Sequence, residues 1–312
     1  MEDYPRDLMA FEARFATDEG CREYLFRLRC PGGFICPECG GRQMAELGDL
    51  YRCRGCRRQI SVTAGTVFHR SHLALPVWFR AMWWVCSQKN GASALGLKRI
   101  LGLGSYETAW LMLHKLRRAM VRPGRDRLSG IVEVDETYVG GLEEGLRGRR
   151  NDGRKALVAI AAEVKGAKIG RIRMRRIPNA SAGSLHPFIR DAVEPGSTLH
   201  TDGWVGYNGI EAGGYSRKAL ISTQGSAELM PRVHRVASLL KRWLMGTHQG
   251  AVSHDHLDYY LDEYTFRFNR RTSQHRGKLF YRLVEHAAQV PHSEYRTIVK
   301  HVRGLKAGKH NR

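Results

Sequence analysis

The stretch SGIVEVDETYVGG, residues 129–141, decides how this chain is read. Ile131, Val132 and Val134 form a short β-branched run of the kind that becomes a buried strand. Glu133, Asp135 and Glu136 interrupt it, and a desolvated carboxylate is costly unless it is paired or binds a cation. The acids are the more conspicuous because the chain is so basic. Its 312 residues carry 51 Lys+Arg against 30 Asp+Glu, a net charge of +21 and a pI near 10.1. Such an excess calls for a polyanionic partner, most simply double-stranded DNA.

No apolar run approaches the roughly 18–20 residues that span a bilayer, and no secretory signal opens the chain. The expectation is a protein of the bacterial cytoplasm, associated with the nucleoid and not with a membrane.

Four of the seven cysteines, Cys36, Cys39, Cys53 and Cys56, form two C-x2-C pairs separated by thirteen residues. That spacing lets four thiolates converge on one structural Zn²⁺. Gly40 and Gly55 are expected to supply the permissive backbone of the two knuckles, so residues 1–70 read as a zinc-ribbon region. Cys21, Cys30 and Cys86 lack partners at ligand spacing.

Residues 71–125 read as helices. LALPVWFRAMWWVCSQKNG opens near Pro76 and offers Phe79 and its tryptophans to a core. Two further apolar-periodic segments flank the turn GLGS, with Ser105 as N-cap of the second. The pattern is that of a helix-turn-helix DNA-binding region, whose second helix would present Tyr106, Glu107 and Lys115 to DNA.

Residues 126–300 alternate strands and helices. The strands are GIVEVDETYVGG, ALVAIAAEV, GRIRMRRIP, the segment ending in Asp202, and one near YSRKALIS. The helices are SAGSLHPFIRDAV, RVHRVASLLKRWLMGTH and HLDYYLDEYTFRFNRR, the last with core aromatics. The class is α/β, with a mixed sheet flanked by helices. Arg171, Arg173 and Arg175 alternate on one strand, as a phosphate-facing ribbon or an exposed sheet surface. Arg147, Arg149, Arg150, Arg154 and Lys155 form a basic loop that could track a DNA backbone, and residues 301–312 read as a basic disordered tail.

If the first and fourth of these strands pair, Asp135 and Asp202 lie side by side. Two adjacent carboxylates repel unless a divalent cation lies between them, and oxygen ligands of this type suit Mg²⁺ or Mn²⁺. Metals so held can drive phosphodiester chemistry. Glu133 shares the face of Asp135, whereas Glu136 points the other way and suits a salt bridge.

At these residues the chain resembles a known family. VEVDETYVGG, TDGWVGY, LKRWLMGTHQG and YLDEYTFRFNRR, behind the paired CxxC motifs, are similar to the ISXO-like group of DDE-type insertion-sequence transposases. The resemblance runs from about residue 10 to 290. It implies an RNase H-like catalytic domain with a five-stranded sheet. It also implies binding of terminal inverted repeats and target DNA by a homo-oligomer, two-metal strand cleavage, and strand transfer by the freed 3′-OH. Asp135 and Asp202 match the first two catalytic acids. The family's third ligand stands seven residues before a basic residue on the last catalytic helix; Lys241 fits the latter, and His234 occupies the former position. The resemblance therefore implies a D-D-H site, with Glu228 and Glu263 as alternative third ligands. A catalytically impaired former transposase that still binds DNA is the alternative function, and a junction or hybrid nuclease a third.

Overall fold

The computed structural model describes residues 2–122, 124–140, 155–221, 229–250 and 252–300. Two compact units emerge, the first comprising residues 1–122 with 273–301 and the second centred on residues 123–272. Arg147, Arg149, Arg150, Arg154, Glu228 and the tail 301–312 lie outside the described residues.

In the first unit, helices α1 (Leu8–Arg14) and α2 (Asp18–Arg29) precede a three-stranded antiparallel ribbon, β1 (Met44–Leu47), β2 (Leu50–Cys53) and β3 (Gln59–Ile60). Helices α3 (Leu75–Ser87), α4 (Ala94–Leu101) and α5 (Tyr106–Ala119) follow. Pro76 opens α3, and Trp78, Phe79 and Trp83 are buried. Gly102, at φ 62°, closes α4, and the Ser105 hydroxyl accepts the Thr108 N–H at 3.1 Å to cap α5. The helix-turn-helix pattern thus has its expected turn.

The exposure of α5 is not as expected. Tyr106 and Glu107 are exposed, but Lys115 is only 9% exposed, and burial lowers its pKa. The cause is the return of the chain's end. Helices α9 (Arg276–Ala287) and α10 (Tyr295–Lys300) pack on α5 instead of extending the second unit, so the second unit ends near residue 272 and not near 300. Phe280 of α9 sits in an aromatic cluster with Phe11, Phe15, Phe79 and Trp83, at centroid distances of 5.3, 5.5, 5.7 and 5.7 Å.

The second unit holds a five-stranded sheet: β4 (Ile131–Val139), β5 (Ala156–Lys165), β6 (Lys168–Ile177), β7 (Thr198–Thr201) and β8 (Ser216–Ala219). The spatial order is β6-β5-β4-β7-β8. β4, β5 and β6 form an antiparallel meander, while β7 runs parallel to β4 and β8 parallel to β7. This is the mixed five-stranded sheet expected. Helix α6 (Ala182–Ala192) carries the chain from β6 to β7 and covers one face through Leu185, Phe188 and Ile189. Helices α7 (Pro231–His248) and α8 (Leu257–Asn269) cover the other, with Val233, Val236 and Leu240 against Val158 and Ile160. With both faces covered, β5 is apolar from Ala156 to Ala162.

β6 is an edge strand, and α8 satisfies part of its open edge. Asp258 and Asn269 accept the N–H groups of Arg176 and Ile172 at 3.0 and 2.7 Å, leaving less of the edge for another chain to pair with. The arginines expected on one face of β6 are tied to partners within the fold. Arg171 pairs with Glu163 at 2.8 Å, Arg173 is buried against the Ile172 and Asp126 carbonyls, and Arg175 pairs with Asp191 at 2.5 Å.

Phe280→Ala should destabilise the first unit by about 3–5 kcal/mol, because a ring central to a packed cluster is lost with its contacts. Denaturant unfolding followed by tryptophan fluorescence checks this; a loss below about 1 kcal/mol would mean the returning helices are dispensable to that core.

Candidate functional site

The four ribbon cysteines converge. Their sulfurs all lie within 4.8 Å of one another, with Cys36–Cys56 at 3.5 Å and Cys39–Cys53 at 3.6 Å. Zn–S bonds of about 2.3 Å set tetrahedral sulfurs roughly 3.8 Å apart, so this donor set fits structural zinc. The Cys39 backbone N–H holds the Cys36 thiol down to about 7. Cys56 is pushed up to about 12: the Arg58 N–H, its largest influence, lowers it, but desolvation and the three other thiols prevail. One thiolate forms readily and the next resists, a conflict that a dication removes.

Each knuckle closes through a residue four places beyond its first cysteine. Gly40 (φ 70°) donates to the Cys36 carbonyl, and Arg57 (φ 60°) to that of Cys53. The left-handed residue of the second knuckle is therefore Arg57 and not Gly55. Cys21 and Cys86 are buried and Cys30 half-buried, none of the three in a disulfide.

In the second unit, β4 answers the question its acids pose. Val132 and Val134 face α6, and Glu133 and Asp135 face α7. Glu133 is 1% exposed and has three donors. Its Oε2 accepts the backbone N–H groups of Arg232 (2.8 Å) and Val233 (2.9 Å), and its Oε1 accepts Arg232 Nη1 (3.1 Å). Pro231 begins α7 and has no N–H, so the next two amides of the first turn are the ones needing an acceptor. Glu133 is thus a helix cap delivered from a strand. The sequence signals were an acid two places before Asp135 and a proline at the head of a later helix.

The cap brings His234 beside the next acid on that face. His234 Nε2 lies 3.2 Å from Asp135 Oδ2, the two side chains being 42% and 23% exposed. β4 and β7 pair with Glu133 opposite His200, so Asp135 and Asp202 stand two residues further along each strand. Burial raises the pKa of Asp135; the Glu136 N–H and His234 oppose the shift, and the Asp202 charge adds to it. Asp202 Oδ1 accepts the Trp204 N–H at 3.0 Å. Asp135 therefore has His234 in contact and lies within reach of the Asp202 charge.

The grouping is looser than the cysteine cluster. Among the described residues, only the four cysteines form a set of three or more candidate ligands with donor atoms within 4.8 Å of one another. A carboxylate on β4 and another just past the end of its neighbour β7 still suit a hard divalent cation, whose charge would stabilise their ionised forms.

Lys241 stands two turns along α7, roughly 10 Å from His234 by helical rise. It lines a cavity of about 590 Å³ with Tyr138, Val139 and Lys155, at the far end of β4. Glu263 is buried and paired with Arg267 at 2.9 Å, on a helix packed against β6, two strands from β4. Glu136 accepts from the Tyr207 hydroxyl at 2.8 Å on the opposite face. His248 stacks edge-on with Trp243 and Tyr260 at the end of α7. Arg271 donates to the Phe268 carbonyl at 2.8 Å and lies over the Phe268 ring, fastening the end of α8.

The fold and these two groups of side chains define a two-part protein, a cysteine ribbon and an α/β domain with acids on and beside its central strands. Residues 127–269 match the ISXO2-like transposase domain, and residues 16–59 match the transposase zinc-ribbon domain. Over these residues the chain carries the two domains of an ISXO2-like transposase. It is 27% identical over 278 residues to an uncharacterized protein in transposable element ISH50 of Halobacterium salinarum, covering 81% of this chain and 91% of that one. A solved structure, the Mos1 strand transfer complex, aligns with 69% of this chain and 78% of its own at 14% identity. Its TM-score of 0.28 is too low to carry an argument. Among the described residues, no helix is long and apolar enough to cross a membrane.

Cys36→Ser and strong chelation should each release one zinc per chain and unfold the ribbon, read by a colorimetric zinc assay and amide exchange over residues 36–56. Retention of a folded ribbon without metal would count against a structural zinc. Glu133→Ala should cost about 3 kcal/mol in urea unfolding, since it strands two amides and a guanidinium, and Glu133→Gln distinctly less, because it keeps an acceptor oxygen.

Proposed function

We propose that this transposase binds the ends of its mobile element and target DNA, cuts the ends by metal-dependent phosphoryl transfer, and joins the freed 3′-OH to the target. What supports this is that Asp135, midway along β4, and Asp202, just past the end of the parallel neighbour β7, stand level with each other, with His234 Nε2 3.2 Å from Asp135. Asp135, Asp202 and His234 would hold the cation. When bound, Mg²⁺ or Mn²⁺ polarises the phosphodiester and stabilises the departing oxygen.

The protein's own residues do the remaining work. β4 aims Asp135 along a rigid strand, and the Trp204 N–H orients Asp202. To ligate metal, His234 must turn its Nε2 from Asp135, which is then free to bind the same ion. Imidazole tolerates softer ions better than Mg²⁺, so a D-D-H site should favour Mn²⁺. Lys241, exposed on α7, is placed to hold a phosphate two turns from His234. The net charge of +21 supplies long-range attraction for the DNA backbone. Tyr106 and Glu107, exposed at the head of α5, are the residues of that helix that would meet base edges. Assembly as a homo-oligomer on DNA would let one subunit grip an end while another cuts.

The test is cleavage of labelled element ends in Mn²⁺ and in Mg²⁺. Asp135→Ala and Asp202→Ala should each lower cleavage by on the order of 10³-fold or more while leaving DNA binding intact. His234→Ala should lose cleavage, and His234→Glu should regain it with a stronger response to Mg²⁺. Full cutting by both aspartate variants would defeat the site assignment. Specific DNA binding by the wild type with no cleavage in any divalent metal would instead favour the impaired, DNA-binding reading, since no acid occupies α7.

A further inference from the structure

β7 is only four residues long, and its last ladder partner is Thr201, opposite Ala219. The Thr201 carbonyl still accepts the Leu220 N–H at 2.8 Å. Asp202 comes next, beyond the strand pairing that would otherwise hold its backbone. Arg217, on the neighbouring strand β8, supplies what the ladder does not. Its Nη2 donates to the Asp202 carbonyl at 3.1 Å and the Trp204 carbonyl at 3.3 Å. Its Nε donates to Thr201 Oγ1 at 3.0 Å, and its Nη1 to Asn208 Oδ1 at 2.6 Å. The Thr201 hydroxyl in turn donates to the Asp202 carbonyl at 2.9 Å.

We propose that Arg217 is the positioning residue for Asp202: its guanidinium fork fixes residues 201–208 so that the Asp202 carboxylate meets that of Asp135. The fork reaches four acceptors, all of them neutral oxygens. None is the Asp202 carboxylate, so Arg217 orients that acid without neutralising it. The guanidinium also lies 5.7 Å from the centre of the Tyr207 ring, whose hydroxyl donates to Glu136, the neighbour of Asp135. One side chain thereby touches the loop carrying the second acid and a residue anchored beside the first. A lysine could place a charge there but could not reproduce a planar fork with divergent donors. The inference rests on the reading above that Asp202 acts at the site.

The experiment compares full-length wild type, Arg217→Ala, Arg217→Lys and Asp202→Ala in three measurements. Amide exchange reads the loop, electron paramagnetic resonance of free Mn²⁺ reads metal affinity, and end cleavage reads kcat and KM for DNA. Arg217→Ala should speed exchange over residues 202–208 and lower Mn²⁺ affinity, each by about tenfold, corresponding to roughly 1.4 kcal/mol. Exchange in β5 should stay as in wild type. The turnover number should fall with KM for DNA unchanged, and added methylguanidinium should restore part of the loss in Arg217→Ala but not in Arg217→Lys.

Wild-type Mn²⁺ affinity and loop exchange in Arg217→Ala would overturn the proposal, as would faster exchange spread over the whole sheet. Should Arg217→Ala fail to fold, Arg217→Lys decides alone: wild-type behaviour overturns the proposal, and a looser loop with weaker Mn²⁺ binding supports it. The two readings fail separately. An Asp202→Ala variant that binds Mn²⁺ and cuts normally removes the role of Asp202 itself, whereas an inactive Asp202→Ala beside an unaltered Arg217→Ala removes only that of Arg217.

Discussion

The second unit depends on a carboxylate that leaves a sheet to cap a helix. α7 begins with a proline, and its next two first-turn amides need acceptors from outside the helix. Glu133 meets two of them and the Arg232 guanidinium from the central strand. A buried carboxylate without partners would be prohibitive, and so would a buried helix start without an acceptor. Together each removes the other's cost, and the positive end of the helix dipole adds to the match. Because side chains on a strand alternate, fixing Glu133 at the helix start also fixes Asp135 one step further along the same face. Helix and strand are thereby locked in register, and His234 has little choice but to lie beside Asp135.

The same constraint explains how a chain of charge +21 keeps acids in its core. Each buried acid is tied to a particular donor: Glu133 to the head of α7, Glu163 to Arg171, Glu263 to Arg267. Asp135 differs. Its pKa is raised by burial and by the Asp202 charge, so the folded protein binds its proton more tightly than the unfolded chain does. The ionised form therefore destabilises the native state, a cost absent below the unfolded pKa and fully present above the folded one. A strand that retains such a group without a dedicated cation from the protein has room for one from solution.

Much of this was legible from residue order. The five strands and the two C-x2-C knuckles follow from local patterns, because β-branched alternation and ligand spacing are properties of neighbours in sequence; the pairing of β4 with β7, which the sequence offered only as a condition, is a long-range contact. What failed depended on partners distant in sequence. Lys115 reads as a surface cation until α9 and α10 return to cover α5. Arg171, Arg173 and Arg175 read as a basic stripe, since neither Glu163 nor Asp191 is visible as a partner before the meander and α6 are folded. Gly55 was the natural candidate for the left-handed place in the second knuckle, yet the turn's hydrogen bond to Cys53 puts Arg57 there. Arg217 offers no sequence signal at all: its value lies wholly in where β7 stops.

The two ends of the proposed D-D-H site are built by different means, and this bears on why a histidine can stand where a carboxylate is expected. Asp135 is held by a nine-residue strand under a capped helix, whereas Asp202 follows a four-residue strand and is held by side chains. A third carboxylate on α7 would add a further negative charge beside Asp135, where burial and Asp202 already raise the proton affinity. An imidazole at His234 instead donates to the Asp135 carboxylate, and so lowers that affinity in the absence of metal. The substitution relaxes the electrostatic strain of the metal-free site at the expense of charge available to a dication. Weaker attraction for the ion then makes the geometry of the remaining carboxylates matter more, and the geometry of Asp202 is what the loop from Thr201 to Asn208 determines.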